Sequence, residues 1–257
     1  MTTTNGLLKQ KILVGSLPVS AGVTVRYIIN RTISVIKSGE TLSCTFVNPG
    51  CEITSTRYSD YSDLLHKFDF VLPDGVGVVV AAKWLGRPKL YRASFDMTSV
   101  ARPLFDAAAQ LGACVAIIGG KDGVANKASE IVSESYPGLH VGYHHSGFFK
   151  KTNEVVEGIK QSGAEIVIVG MGAPYQERFS YTLARSNWKG SVFTCGGFLD
   201  QLIESDSENN FYPKYVDSLN LRFLYRLYKD PLRLWRRYLL HYPLFLYRVI
   251  IQKLSGG

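Results

Sequence analysis

Apolar residues recur along the chain in two alternating rhythms. Short, nearly continuous apolar runs occupy residues 11–19 (KILVGSLPV), 42–48 (LSCTFVN), 68–72, 114–118 (CVAII), 139–143, 165–169 (EIVIV) and 191–195. Between them, residues 23–38 place Val25, Ile28, Ile29, Ile33 and Ile36 at helical spacing. Further helices are predicted over 61–67, 76–85, 98–111, 125–134, 153–162 and 176–185. The stretch 76–85 is apolar on most sides, which predicts a buried helix. Continuous apolar strands alternating with helices predict an α/β fold whose parallel sheet is covered on both faces. Ligands of such sheets sit beyond the carboxyl ends of the strands.

The pattern changes near residue 205. Residues 205–210 (SDSENN) are polar and acidic, a linker, and from Leu219 the chain is basic, aromatic and helical in character. Two units follow, 1–204 and 205–257. In LRFLYRLYKDPLRLWRRYL (221–239) Asp230 is the only acid, and Arg222, Arg226, Arg233 and Arg236 fall near one helical face, with Pro231 breaking or restarting the helix. That face reads as solvated, as a match for anionic lipid, or as a grip on a discrete diphosphate. Nucleic acid is disfavoured, since no recognised nucleic-acid-binding fold accompanies these residues. Residues 238–251 (YLLHYPLFLYRVII) fall short of the ~20 apolar residues of a spanning helix and are interrupted by His241, Pro243 and Arg248.

At 257 residues and 46% hydrophobic content the chain can bury one sizeable core. Its formal charge of +8 points to an anionic partner. The start, MTTTNGLLKQ, lacks the basic and apolar regions of a signal peptide. Cys44, Cys51, Cys114 and Cys195 form no C-x-x-C and read as buried free thiols in a reducing cytoplasm.

Strand ends carry the candidate chemistry. Asn48-Pro49-Gly50, Pro73-Asp74-Gly75, Gly119-Gly120, Gly170-Met171-Gly172 and Gly196-Gly197 each read as a turn, and together as a mouth where backbone approaches a ligand. A phosphate could accept N–H bonds from the helix starting near Gln176. No complete dinucleotide fingerprint and no Walker A sequence is present. Asp74 reads as turn material or as a general base; an ordinary aspartate, with a pKa of about 3.9, is ionised at neutral pH. Gln176 and Glu177 read as first-turn helix residues, Glu177 complementing the dipole, or Gln176 as a ligand contact. Arg92 is a solvated charge or a phosphate clamp. No metal site is apparent: His144 and His145 are adjacent, no Asp-x-Asp follows an apolar strand, and Asp206-x-Glu208 lies in the linker.

Four ordered motifs, LPDGVG (72–77), GMGAPYQE (170–177), CGGFLD (195–200) and the 221–239 stretch, resemble the WecG/TagA/CpsF glycosyltransferases over about residues 12–240. The resemblance implies a Rossmann-like parallel sheet with helices on both faces plus a basic C-terminal helical appendage. It implies a bacterial enzyme at the cytoplasmic face of the inner membrane. Such an enzyme inverts as it transfers a sugar from a UDP-sugar to a polyprenyl-diphosphate-linked sugar, with no cofactor, beside an anionic membrane surface. By motif position, Asp74 matches the family's base. Asn48, Arg92, Gln176, Glu177, Gly196 and Gly197 match its substrate-binding positions, and Arg226, Arg233 and Arg236 match the arginines that hold the lipid diphosphate.

The chain departs from the family pattern at Phe46, where threonine is common, at Tyr175 for lysine, at Ser94-Phe95-Asp96 for Gly-x-Asp, and at Phe211-Tyr212-Pro213 for Arg-Ala-Pro. These departures favour a glucosyltransferase of the xanthan-type exopolysaccharide branch. The alternative in the same family is an N-acetylmannosaminyl- or aminouronosyltransferase of teichoic acid or enterobacterial antigen assembly. Two readings of other classes are an NAD- or S-adenosylmethionine-dependent Rossmann-like enzyme and a non-enzymatic module binding anionic polymer or membrane. The partial Gly-x-Gly and the lack of a ribose-binding acid count against NAD.

Overall fold

In a computed structural model of the chain, residues 10–204, 239 and 241–256 are described. The first described element is a hairpin, β1 (Lys11–Val14) and β2 (Leu17–Ser20), paired antiparallel. Residues 11–19 are therefore not the single strand expected from their apolar run. Gly15 takes φ 65° and turns the chain, and the hairpin stays outside the main sheet. Helix α1 (Val25–Ser38) follows. The Thr24 hydroxyl accepts from Tyr27 N–H at 3.2 Å at its start, and left-handed Gly39 ends it.

Then come β3 (Thr41–Val47), α2 (Cys51–Arg57), α3 (Tyr61–His66), β4 (Phe70–Pro73), α4 (Val76–Trp84) and α5 (Ala101–Leu111). The second half runs β5 (Cys114–Gly119), α6 (Val124–Ser135), β6 (His140–His145), α7 (Thr152–Gln161), β7 (Ile166–Gly170), α8 (Tyr175–Ala184), β8 (Gly190–Thr194) and α9 (Phe198–Glu204). Helix α10 (Tyr242–Leu254) is the last element described.

Six strands form one sheet in the order β4-β3-β8-β7-β5-β6, every neighbouring pair parallel. Central strands are buried on both faces, as their unbroken apolar sequences require, whereas edge strand β6 has no fully buried residue. Connections from β5 and β7 leave in opposite directions, to β6 and to β8, so the winding reverses between these two neighbours. Helices α1, α5, α6 and α9 cover one face through Ile28, Leu104, Phe105 and Phe198. Helices α7 and α8 cover the other through Ile159, Phe179 and Leu183. The hairpin, α3, α4 and α10 close the end beside β4 in a third cluster. Each fully buried Leu, Ile or Phe contributes roughly 1.5–3 kcal/mol. The sheet with helices on both faces is thus the Rossmann-like α/β arrangement expected.

One element differs from expectation in a way that matters later. Helix α4 is not buried all round: Val78, Ala81 and Ala82 face the core, but Val76, Val80 and Trp84 face out. In the last helix, α10, Pro243 sits in the first turn, where a missing N–H costs no internal bond. The linker and the arginines Arg222, Arg226, Arg233 and Arg236 lie outside the described residues.

Candidate functional site

Strand register decides which candidates meet. Val47 pairs with Pro73, so Asn48 and Asp74 leave the sheet side by side. Cys44 pairs with Phe193; carried three residues on, that register sets Val47 level with Gly196. Adjacent strands lie about 4.8 Å apart. The carboxyl ends of β4, β3 and β8 therefore bring Asp74, Asn48 and Gly196-Gly197 to one rim.

Asp74 is anchored by its own N–H, which donates to Val47 O at 2.7 Å. Gly75 follows at φ 86° and lets the chain swing from β4 into α4. The Asn48 side chain is held at both ends. Its Oδ1 accepts from Gly50 N–H at 2.9 Å, and its Nδ2 donates a long bond, 3.4 Å, to Asp74 Oδ2. Both residues are half-buried. Arg92 joins them through the backbone, since Ala93 N–H donates to Pro73 O at 3.0 Å and runs its segment along the end of β4.

On the β8 side, Gln176 is buried in the first turn of α8. Its Oε1 accepts from Gly196 N–H at 3.1 Å, and its Nε2 donates to Glu177 Oε1 at 2.9 Å. The predicted pair Gln176 and Gly196 is thus in direct contact. Glu177 is wholly buried and touches no cleft. Its Oε1 also accepts from the Thr45 hydroxyl at 3.1 Å, and Thr45 shares a 2.8 Å bond with Thr194 on β8. Its Oε2 has no hydrogen-bond partner. Burial pushes the Glu177 pKa up to about 7, against the opposing pull of the Gln176 and Thr45 bonds. Glu177 therefore stands behind Gln176, away from the surface.

Thr45 and Thr194 were not singled out from the sequence. Their signal is a hydroxyl at an inward position of an otherwise apolar strand. Phe46, one residue on, is core: it packs edge-to-face on Phe95 at 6.0 Å, and Phe95 on Phe198 at 5.2 Å. Asp96 closes its own loop, accepting from the Ser94 hydroxyl at 2.6 Å and from Thr98 N–H at 2.9 Å.

Some strand-end glycines have a packing reason instead of a ligand. A Cβ on Gly119 would lie 2.3 Å from Gly170 O, and one on Gly170 would lie 2.9 Å from Gly196 O. The loops after β5, β7 and β8 crowd one another there. Nor is the first turn of α8 open to phosphate at Gln176, whose N–H donates to Gly172 O at 3.0 Å. All four cysteines are free thiols. No helix among the described residues is long and apolar enough to cross a membrane. The arrangement at the rim offers an oriented carboxylate to accept a proton, with a guanidinium-bearing segment alongside.

A model of the glycosyl transferase WecG/TagA/CpsF family matches residues 12–257. The chain is 31% identical over 216 residues to the UDP-Gal:alpha-D-GlcNAc-diphosphoundecaprenol beta-1,4-galactosyltransferase of Shigella boydii, spanning 82% of this chain and 86% of that one. It is 30% identical over 193 residues to the N-acetylglucosaminyldiphosphoundecaprenol N-acetyl-beta-D-mannosaminyltransferase of Bacillus spizizenii, 75% and 72% of the two chains. The Staphylococcus aureus protein of the same description is 24% identical over 220 residues, 85% and 84% of the two chains. These relatives carry galactosyl and N-acetylmannosaminyl transfer in their names. The glucosyltransferase branch expected from the sequence gains no support from them.

Proposed function

Because the chain belongs to the glycosyl transferase WecG/TagA/CpsF family, we propose that it transfers a hexosyl group from a UDP-sugar to a polyprenyl-diphosphate-linked sugar, with inversion. The relatives' names share an N-acetylglucosaminyl-diphosphoundecaprenol acceptor. That acceptor is accordingly the one proposed here, with galactose or N-acetylmannosamine, ahead of glucose, as the donor sugar. The latter donor is the family alternative that the sequence left open.

One observation carries the reading: Asp74, steadied by Asn48, stands at the carboxyl rim of a parallel sheet, where such sheets hold ligands. In the proposed step an Asp74 carboxylate oxygen takes the proton of the acceptor hydroxyl. The acceptor hydroxyl oxygen, freed of that proton, attacks the anomeric carbon as the bond from that carbon to the UDP oxygen breaks, and the electron pair leaves with UDP. Arg92 faces the negative charge that develops on the leaving diphosphate. Gln176, fixed by Gly196 N–H and Glu177, shapes the donor side with Gly196-Gly197. Arg226, Arg233 and Arg236 are assigned to the lipid diphosphate by family position alone.

UDP release tests the reading. The protein is mixed with UDP-galactose, UDP-N-acetylmannosamine or UDP-glucose, with and without a short-chain prenyl-diphosphate N-acetylglucosamine. Acceptor-dependent release with one of the first two is the expected result. Release with none of the three would favour the non-enzymatic binding module.

A further inference from the structure

Helix α4 starts two residues past Asp74, and its exposed residues are not those of a solvated face. Val76, Val80 and Trp84 recur every four residues along one stripe and are 40%, 57% and 50% exposed. The opposite side of α4 is apolar too and fills the core. Helix α10 repeats the pattern. Phe245 and Val249 point inward, while Tyr247, Ile250 and Leu254 face out at 60%, 46% and 79% exposure. A helix apolar all round has a second apolar environment.

Both helices pack on the β1–β2 hairpin. The Gln252 side chain of α10 accepts from Gly15 N–H at 2.9 Å and donates to Leu13 O at 3.1 Å, and Leu13 is itself exposed. Among the described residues, most large exposed apolar side chains lie on these three elements; Tyr91, Leu111, Phe148, Tyr175 and Leu239 lie elsewhere.

We infer that the outer faces of α4 and α10, with Leu13 between them, form a seat on an anionic lipid bilayer that sets the Asp74 rim at headgroup level. The inference rests on the lipid-linked acceptor proposed above and adds the surface that meets its membrane. Charge selects this occupant. Neither α4 nor α10 contains an acid, and Lys83, Lys89 and Lys253 are exposed on or just beyond them. A second copy docked face to face would bring these lysines together. Anionic headgroups neutralise them while the valines, Trp84 and Ile250 enter the acyl boundary. At 13 residues, about 20 Å, α10 can lie on a bilayer but not span it. The seat lets the prenyl chain remain in the bilayer while its sugar reaches Asp74.

Two double variants test the seat in the full-length protein, Val80→Asp with Trp84→Asp, and Ile250→Asp with Leu254→Asp. All four positions are exposed, so thermal unfolding should match wild type. Sedimentation with phosphatidylglycerol vesicles is expected to show binding weakened at least about tenfold in each variant. UDP release with the water-soluble short-chain acceptor should stay near wild type, and release with full-length acceptor in vesicles should fall about tenfold. Wild-type vesicle binding by the α4 variant would overturn the inference. So would a wild-type dimer that the α4 variant disperses while vesicle binding is unchanged. Absence of UDP release from wild type with any acceptor would instead sink the proposed function, and the sedimentation result would still decide the seat.

Discussion

Asp74 and Glu177 are carboxylates with opposite surroundings, and their environments separate their roles. Asp74 is half-buried at the rim with an amide beside it. Replacing it with asparagine keeps its shape and removes the proton acceptor. Steady-state kinetics should show kcat lowered about 10²–10⁴-fold, while titration shows UDP-sugar binding nearly unchanged; undiminished turnover would remove Asp74 from the chemistry. Glu177 is sealed, and its pKa of about 7 lies above its unfolded value. A carboxyl raised in the folded state stabilises the fold fully below the unfolded pKa, and that contribution disappears as pH rises through about 7. The full change is on the order of 3 kcal/mol. Glu177→Gln cannot ionise, so urea midpoints taken from pH 5 to 8 should fall in wild type and stay flatter in the variant. Parallel curves would refute this placement of the ionisation. The Asp74 candidate was legible because Pro-Asp-Gly interrupts two apolar runs. The burial of Glu177 was not legible, because its partner Thr45 lies 132 residues upstream, and Thr45 in turn bonds Thr194 on a third element. From one helix turn alone it reads as an exposed first-turn acid.

At the level of elements, strands buried on both faces declare themselves as unbroken Val-Ile runs, and this made the parallel sheet readable from residues 114–118 and 165–169. Register was not readable, since nothing local says that β8 inserts between β3 and β7. The hairpin was hidden because its turn, Gly15-Ser16, lies inside one apolar run. Helix α2 was hidden behind Asn48-Pro49-Gly50, whose local sequence reads as a turn and not as a helix start. Helix α10 shows how a late segment can belong to the core. Phe245 is buried against the hairpin cluster, and Arg248 sits 3.7 Å from buried Glu52, whose pKa is raised chiefly by burial. Phe245→Ala should destabilise the protein by about 3–5 kcal/mol in urea unfolding, the cost of a cavity at a packed aromatic. A change below about 0.5 kcal/mol would mean that α10 is not docked there.

Across the whole molecule, the +8 charge and the apolar seat act on the same partner by different physics, and salt separates them. Electrostatic attraction to anionic headgroups decays over about 10 Å at 0.1 M salt and about 3 Å at 1 M. Apolar insertion is not screened and strengthens slightly in excluded salts. If both operate, binding to phosphatidylglycerol vesicles should weaken steeply between 0.1 and about 0.5 M sodium chloride and then level off at a residual value. Each lysine near the surface contributes about 1 kcal/mol at low salt, so the few lysines around α4 and α10 suffice for a hundredfold change. The residual should vanish in the Val80→Asp, Trp84→Asp variant, whereas the steep region should survive at reduced amplitude. Transfer to the soluble acceptor should respond to salt far less, because substrate phosphates bound at the rim are partly shielded from solvent ions. A vesicle-binding curve independent of salt would remove the charged half of this account, and one falling to zero in wild type would remove the apolar half.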